Sequence, residues 1–287
     1  MRIVTSIADV REAVRAARLD GYEISFVPTM GALHAGHVSL IRHAGGEGRF
    51  VVVSIYVNPT QFNDPGDLAA YPRTDASDES LCNDAHVDLL WRPTTDVVYP
   101  QGFDTGIEPG ALAVKLEGEH RPGHFKGMAT VVLKLLNVVS PDVAYFGRKD
   151  YQQLAIVKQM ARDLNLPVSI IGCPTVREAD GLALSSRNVK LSGPGRVLAV
   201  NLSRAINTAA TAMRDGETAE IARHTALEQL SEHAGITVEY LEIVDRDSLV
   251  PVNGNDTADA VVLVAAHVDG VRLIDNVAVR EHDEESR

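Results

Sequence analysis

The 287-residue chain is 45% hydrophobic and carries 27 Lys plus Arg against 39 Asp plus Glu, a formal net charge of −12. That apolar content supports one large domain or two modest ones and excludes a largely disordered chain. An acidic chain without a long basic run is a poor non-specific nucleic-acid binder, so an anionic substrate needs a local cationic pocket against the global field.

The two cysteines, Cys82 and Cys173, stand far apart in no metal-binding spacing, which fits a reduced cytoplasmic compartment. The first 20 residues are charged throughout and contain no signal core. No apolar run reaches membrane length; Val131 to Val139 is interrupted by Lys134 and Asn137. The expectation is a cytoplasmic protein with neither a membrane nor a nucleic-acid partner. The tail from Arg280 to Arg287 reads as a solvated, frayed end.

Val10, Val14 and Ala17 among charged neighbours space an opening amphipathic helix. Ile24 to Val27 is a short apolar run that reads as a buried strand. The glycine-bearing turn Pro28-Thr29-Met30-Gly31-Ala32-Leu33-His34-Ala35-Gly36-His37 follows it, and a helix continues to about Ala44. Glycine lets backbone approach a ligand closely, and a new helix offers unpaired N–H groups and a positive dipole end near Gly36 and His37. That makes a phosphate site, with His34 and His37 three apart and facing the same way on a helical turn. Phe50 to Val57 is a continuous β-branched run, hence a central parallel strand completing a βαβ unit. Asn58-Pro59-Thr60-Gln61 leaves its carboxyl end, where open α/β sheets bind ligands. Turn chemistry accounts for Asn58, whereas Gln61 is read as a ligand contact.

Residues 64–85 read as loop then helix, Val87 to Trp91 as a strand, residues 94–110 as turn-rich, and Ala111 to Leu116 as a short strand. Arg121, His124 and Lys126 cluster in an anion-facing loop before a helix over Met128 to Val139, which Ser140-Pro141 ends. A strand at Val143 to Phe146, the tight turn Gly147 to Asp150, a helix from Tyr151 and a strand at Val168 to Ile171 follow. Beyond about residue 176 come two alanine-rich helices, a strand at Val238 to Val244, and two strands flanking Asp269-Gly270, a hairpin signal.

The chain lacks G-x-x-x-x-G-K-[ST], G-x-G-x-x-G after its first strand, a metal-ligand cluster and a nucleophile elbow. It has small-residue turns bearing His, Lys, Ser and Arg, equipment for holding polyphosphate. The H-x-G-H loop after P-T-M-G resembles the signature of the nucleotidylyltransferase superfamily. With V-N-P-T-Q-F, R-P-G-H-F-K-G, F-G-R-K-D-Y-Q-Q-L and P-T-V-R-E-A-D-G-L-A-L-S-S-R-N in order, the chain resembles the pantothenate synthetase family from about residue 3 to about 279.

The resemblance implies an α/β fold: a Rossmann-like parallel-sheet domain over residues 1–176 binding nucleotide and pantoate, and a smaller C-terminal α+β lid domain over 177–287. It implies ATP-dependent condensation of (R)-pantoate with β-alanine through pantoyl adenylate, with Mg²⁺ and a homodimer. Carried onto matching positions, it gives His37 as the proton-donating catalytic residue, aided by His34 and Lys149. ATP would be lined by Met30, Gly31, Ala32, Leu33, His34, Ala35, Gly36, His37, Gly147, Arg148, Lys149, Asp150, Val176, Leu184, Ser185, Ser186 and Arg187. Gln61 would hold pantoate and lie near β-alanine, and Gln153 would bind pantoate hydroxyls. Two positions depart from the family: Arg148 where Glu is usual, placing a positive charge beside Lys149, and Leu184 where Met is common. The Mg²⁺ ligands are not readable; Asp75 and Asp78 are candidates set against a solvated acidic face. Competing readings are another nucleotidylyltransferase, which gives no reason for Gln61 and Gln153 together, and a nucleotide sensor, which needs no paired histidines.

Overall fold

In the computed structural model, which describes residues 1–256 and 258–280, the chain divides into two compact units, Met1–Val176 and Arg177–Arg287. The tail beyond Arg280 lies outside the described residues.

The first unit opens with β1 (Arg2–Val4) and α1 (Ile7–Leu19), then β2 (Glu23–Thr29), α2 (Ala35–Ala44) and β3 (Arg49–Ile55). Next come α3 (Pro65–Ala69), α4 (Asp75–Asp84), β4 (Leu89–Trp91), α5 (Thr95–Val98) and α6 (Glu117–His120). It closes with α7 (His124–Val139), β5 (Val143–Gly147), α8 (Tyr151–Asp163) and β6 (Ser169–Cys173). The six strands form one parallel sheet in the order β1-β4-β3-β2-β5-β6. Chain order runs outward from β2 in one direction through β3 and β4 and resumes on the other side with β5 and β6. The reversal makes the β2/β5 boundary a topological switch point. Apolar layers cover both faces, with Phe26, Val52 and Leu89 in one core and Val27, Val53 and Leu90 in another. That two-sided burial explains the unbroken β-branched run of β3.

One strand goes unread in the sequence and one expectation fails. The short edge strand β1 has too few residues to show a pattern. Ala111 to Leu116 forms no strand; Ala111–Ala113 is a 3-10 turn. The buried Gln152 amide donates to the carbonyls of Leu112 (2.7 Å) and Lys115 (2.8 Å) and accepts the Glu117 N–H (3.0 Å), so these backbone groups join no ladder.

The second unit holds α9 (Gly193–Arg214), α10 (Ala219–Ser231) and the antiparallel strands β7 (Ile236–Asp245), β8 (Ala260–Val268) and β9 (Val271–Ala278), in sheet order β7-β8-β9. Alanines of both helices pack on one face of β8. Asp269 and Gly270 both take positive φ, 51° and 76°, as a two-residue hairpin turn between right-twisted strands requires. No described helix is long and apolar enough to cross a membrane.

Candidate active site

Because β3, β2 and β5 are neighbours, their carboxyl ends lie side by side. Each delivers one segment singled out from sequence: residues 58–61 after β3, 30–37 after β2, and 147–150 at the end of β5.

The turn after β2 runs through two left-handed residues, Gly31 (φ 78°) and Ala32 (φ 50°). Ala32 has a side chain and needs external support for that backbone. Asp78, in the first turn of α4, supplies it. One carboxylate oxygen accepts the Ala32 N–H (2.9 Å); the other accepts the Leu33 N–H (2.8 Å) and the Thr74 hydroxyl (2.9 Å). Asp78 is 2% exposed, so it belongs to no solvated face, and its three hydrogen bonds make it a strut of the turn rather than an open metal ligand. Asp75 is paired with Arg92, which also pairs with Glu79. Among the described residues no group of three or more His, Cys, Asp or Glu could hold a metal ion. The described residues therefore do not form a Mg²⁺ cage.

His34 and His37 do meet, by a route different from a shared helical face. His34 is the N-cap of α2, with extended backbone, and His37 is its third helical residue. The His34 Nδ1 accepts the Gly36 N–H (3.1 Å), and the His37 Nδ1 accepts the His34 N–H (3.3 Å), forming a reciprocal capping box built of two imidazoles. The rings lie 4.2 Å apart. The expected unpaired N–H groups are thus largely engaged: Gly36 and His34 by the rings, Ala32 and Leu33 by Asp78. What the loop offers instead follows from the tautomer. With each Nδ1 accepting, a neutral ring carries its proton on Nε2, and both Nε2–H groups are donors without a partner among the described residues. Burial, then the adjacent His34, lowers the His37 pKa to about 3. Burial and the Lys149 ammonium lower that of His34. Both rings are neutral donors near neutral pH, and Lys149 stands close enough to act on both.

Residues 148–150 form a 3-10 turn that leads into α8. The Lys149 ammonium is 3.8 Å from Asp150. Arg148 turns toward β6, where its Nε donates to the Gly172 carbonyl (3.0 Å), so this guanidinium is tied to the sheet. Val176 is half-buried beyond β6.

Gln61 is 7% exposed. Its Oε1 accepts from Asn58 Nδ2 (3.0 Å), and its Nε2 donates to the Met30 sulfur (3.1 Å), tying the two loops together. Asn58 therefore does more than cap its own turn; the N-P-T-Q spacing, three residues on one turn, was the signal available in sequence. From the 121–126 segment, His124 Nδ1 donates to the Gln61 carbonyl (2.7 Å) while its Nε2 accepts from Arg121 (3.2 Å). Lys126 leaves the cluster to pair with Glu108. Of the adjacent glutamines, Gln152 is consumed by backbone bonds, whereas Gln153 is half-buried and has no hydrogen-bond partner among the described residues.

In the second unit, Leu184, Ser185, Ser186 and Arg187 follow a segment stapled at its base. Arg177 makes a bidentate pair with the buried Asp275 (2.7 and 2.9 Å) and bridges to Ala183. The Ser185 hydroxyl accepts the Arg187 N–H (3.2 Å), and Asn188 Nδ2 donates to the Ala183 carbonyl (3.0 Å).

The family model for pantoate-beta-alanine ligase matches residues 2–278. The chain belongs to the pantoate-beta-alanine ligase family. A pantothenate synthetase of Rhizorhabdus wittichii is 46% identical over 279 residues, covering 97% of this chain and 99% of the relative. The crystal structure of pantothenate synthetase from Thermus thermophilus superposes with a TM-score of 0.92 at 43% identity, covering 98% of this chain and 100% of the other. The pantoate-beta-alanine ligase of Francisella tularensis, solved in complex with beta-gamma ATP and beta-alanine, gives 0.81 at 36% identity, covering 98% of this chain and 99% of that one. In this ligase family ATP activates the carboxylate of pantoate, so the chemistry needs no covalent attachment to the protein.

Proposed function

We propose that the paired Nε2–H donors of His34 and His37, with the Lys149 ammonium, form the site at which this ligase activates pantoate. The reaction is ATP-dependent condensation of (R)-pantoate with β-alanine. A pantoate carboxylate oxygen attacks the α-phosphorus and pyrophosphate leaves; the β-alanine amine then attacks the acyl carbon of pantoyl adenylate and AMP leaves. The observation carrying the assignment is the capping box, which fixes both imidazoles as neutral donors beside a lysine at the sheet's switch point. Charge that grows on phosphate oxygens during transfer is stabilised by donors oriented beforehand. On this reading Met30 to His37, Gly147 to Asp150 and Val176 line ATP, although Arg148 contributes its backbone rather than its charge. Gln61 and Gln153 hold pantoate. Leu184 to Arg187 are assigned to the triphosphate on the shared motif alone.

Mg²⁺ would be carried in on the nucleotide phosphates, the usual habit of an ion that keeps its waters. A cytoplasmic homodimer is part of the same proposal. The test is single-turnover pyrophosphate release with ATP and pantoate. His37→Ala and Lys149→Ala are each expected to slow it by roughly 10²-fold; rates within about twofold of the parent enzyme remove these groups from the mechanism.

A further inference from the structure

We propose that Tyr99 is a positioning residue for the pantoate half of the site, acting through Asn58 to fix which way the Gln61 amide faces. Tyr99 ends α5, in the turn-rich stretch from which sequence reading selected no functional residue. Its hydroxyl donates to Asn58 Oδ1 (3.0 Å). That same oxygen accepts the Thr60 hydroxyl (3.0 Å) and the Thr60 N–H (3.4 Å). Three donors on Oδ1 leave Asn58 Nδ2 facing the other way, where its two hydrogens go to Gln61 Oε1 (3.0 Å) and the Gly127 carbonyl (3.2 Å). Asn58 is 1% exposed, and its bonds to Gln61 and Gly127 are buried.

An amide can flip with little change of shape, and only its partners decide its orientation. A flipped Gln61 would set its NH₂ against the Asn58 NH₂, donor against donor. In the observed orientation Gln61 Nε2 gives one hydrogen to the Met30 sulfur and keeps one for a ligand. The Tyr99 hydroxyl thus ends a polarity relay: hydroxyl to Asn58 oxygen, Asn58 nitrogen to Gln61 oxygen, Gln61 nitrogen to substrate. The ligand atom met there must be an acceptor, a carboxylate or hydroxyl oxygen. The Tyr99 ring is held separately, edge-on to Phe103 (5.0 Å) with the Lys134 ammonium 5.7 Å from its centroid. Removing the hydroxyl therefore leaves the packing in place.

This inference rests on Gln61 contacting pantoate. The experiment is steady-state kinetics on Tyr99→Phe, Gln61→Ala and the double variant. Loss of one neutral hydrogen bond predicts a roughly 2- to 10-fold rise in pantoate KM for Tyr99→Phe, with the ATP KM unchanged. In the Gln61→Ala background, adding Tyr99→Phe should move the pantoate KM by less than about 1.5-fold, because the relay then ends on nothing. A parent-like pantoate KM in Tyr99→Phe, or an effect of equal size in both backgrounds, overturns the relay. A parent-like pantoate KM in Gln61→Ala overturns the substrate assignment and the relay with it.

Discussion

Replacing Asp78 with Asn tests the claim that a buried carboxylate holds the histidine loop. The carboxylate serves three donors: the Ala32 and Leu33 N–H groups and the Thr74 hydroxyl, all within 2.9 Å. An amide has one acceptor oxygen, so at least one former acceptor position becomes an NH₂ facing a donor. If the oxygen keeps Leu33 and Thr74, the Ala32 N–H is opposed, and Ala32 is the non-glycine residue held at φ 50°. Losing one charge-assisted bond and leaving an N–H unsatisfied costs about 2–4 kcal/mol. For a unit of this size that is a fall of about 5–15 °C in its unfolding temperature. The same change lets the turn relax, so the ATP KM should rise, by roughly 10-fold. Thermal unfolding and ATP saturation kinetics read both. A midpoint within about 1 °C of the parent together with an unchanged ATP KM would refute the strut argument; a Mg²⁺-dependent rescue of activity would show a metal ligand instead.

Gly127 lies where α7 crosses the Thr60–Gln61 backbone, and a Cβ built there would stand 2.3 Å from the Thr60 carbonyl oxygen. Gly127→Ala must push the helix off the turn, costing about 1–3 kcal/mol by urea unfolding and raising the pantoate KM. Burial and Arg121 lower the His124 pKa to about 4, and His37 lies near 3, whereas unfolded histidine titrates near 6.5. The unfolded state binds more protons in that window, so this stability is complete above about pH 6.5 and is lost as pH falls toward 3–4. His124→Gln keeps a donor for the Gln61 carbonyl and an acceptor for Arg121, and should flatten the urea-midpoint profile between about pH 6.5 and 4.5. Arg177→Met would strand Asp275, which is 4% exposed, and destabilise the second unit by about 3–5 kcal/mol in denaturant titration. Lysine at position 177 should not restore it, because a point charge cannot make the bidentate pair.

Local pattern alone settled the strands whose surroundings are symmetrical. The β-branched run of β3 is apolar on both faces because the sheet is covered on both faces, and the Asp269-Gly270 turn needs two positive-φ residues that its sequence supplies. The loops at the sheet's switch point were legible for the same reason: glycine, histidine and lysine at strand ends are written in consecutive residues. Contacts between distant residues were not. Nothing near Asp78 in sequence marks it as the partner of Ala32 and Leu33, 46 and 45 residues away, and an acidic helix start reads as a solvated face until the fold buries it. Arg148 looked like added charge beside Lys149, yet the Gly172 carbonyl on the neighbouring strand claims its side chain. The two histidines were visible, but their tautomer depended on backbone N–H groups that only the folded helix start aims at Nδ1. Sequence determined which chemical groups were available; tertiary structure decided which hydrogen of each was left to meet a substrate, because that depends on every other partner the group has already taken.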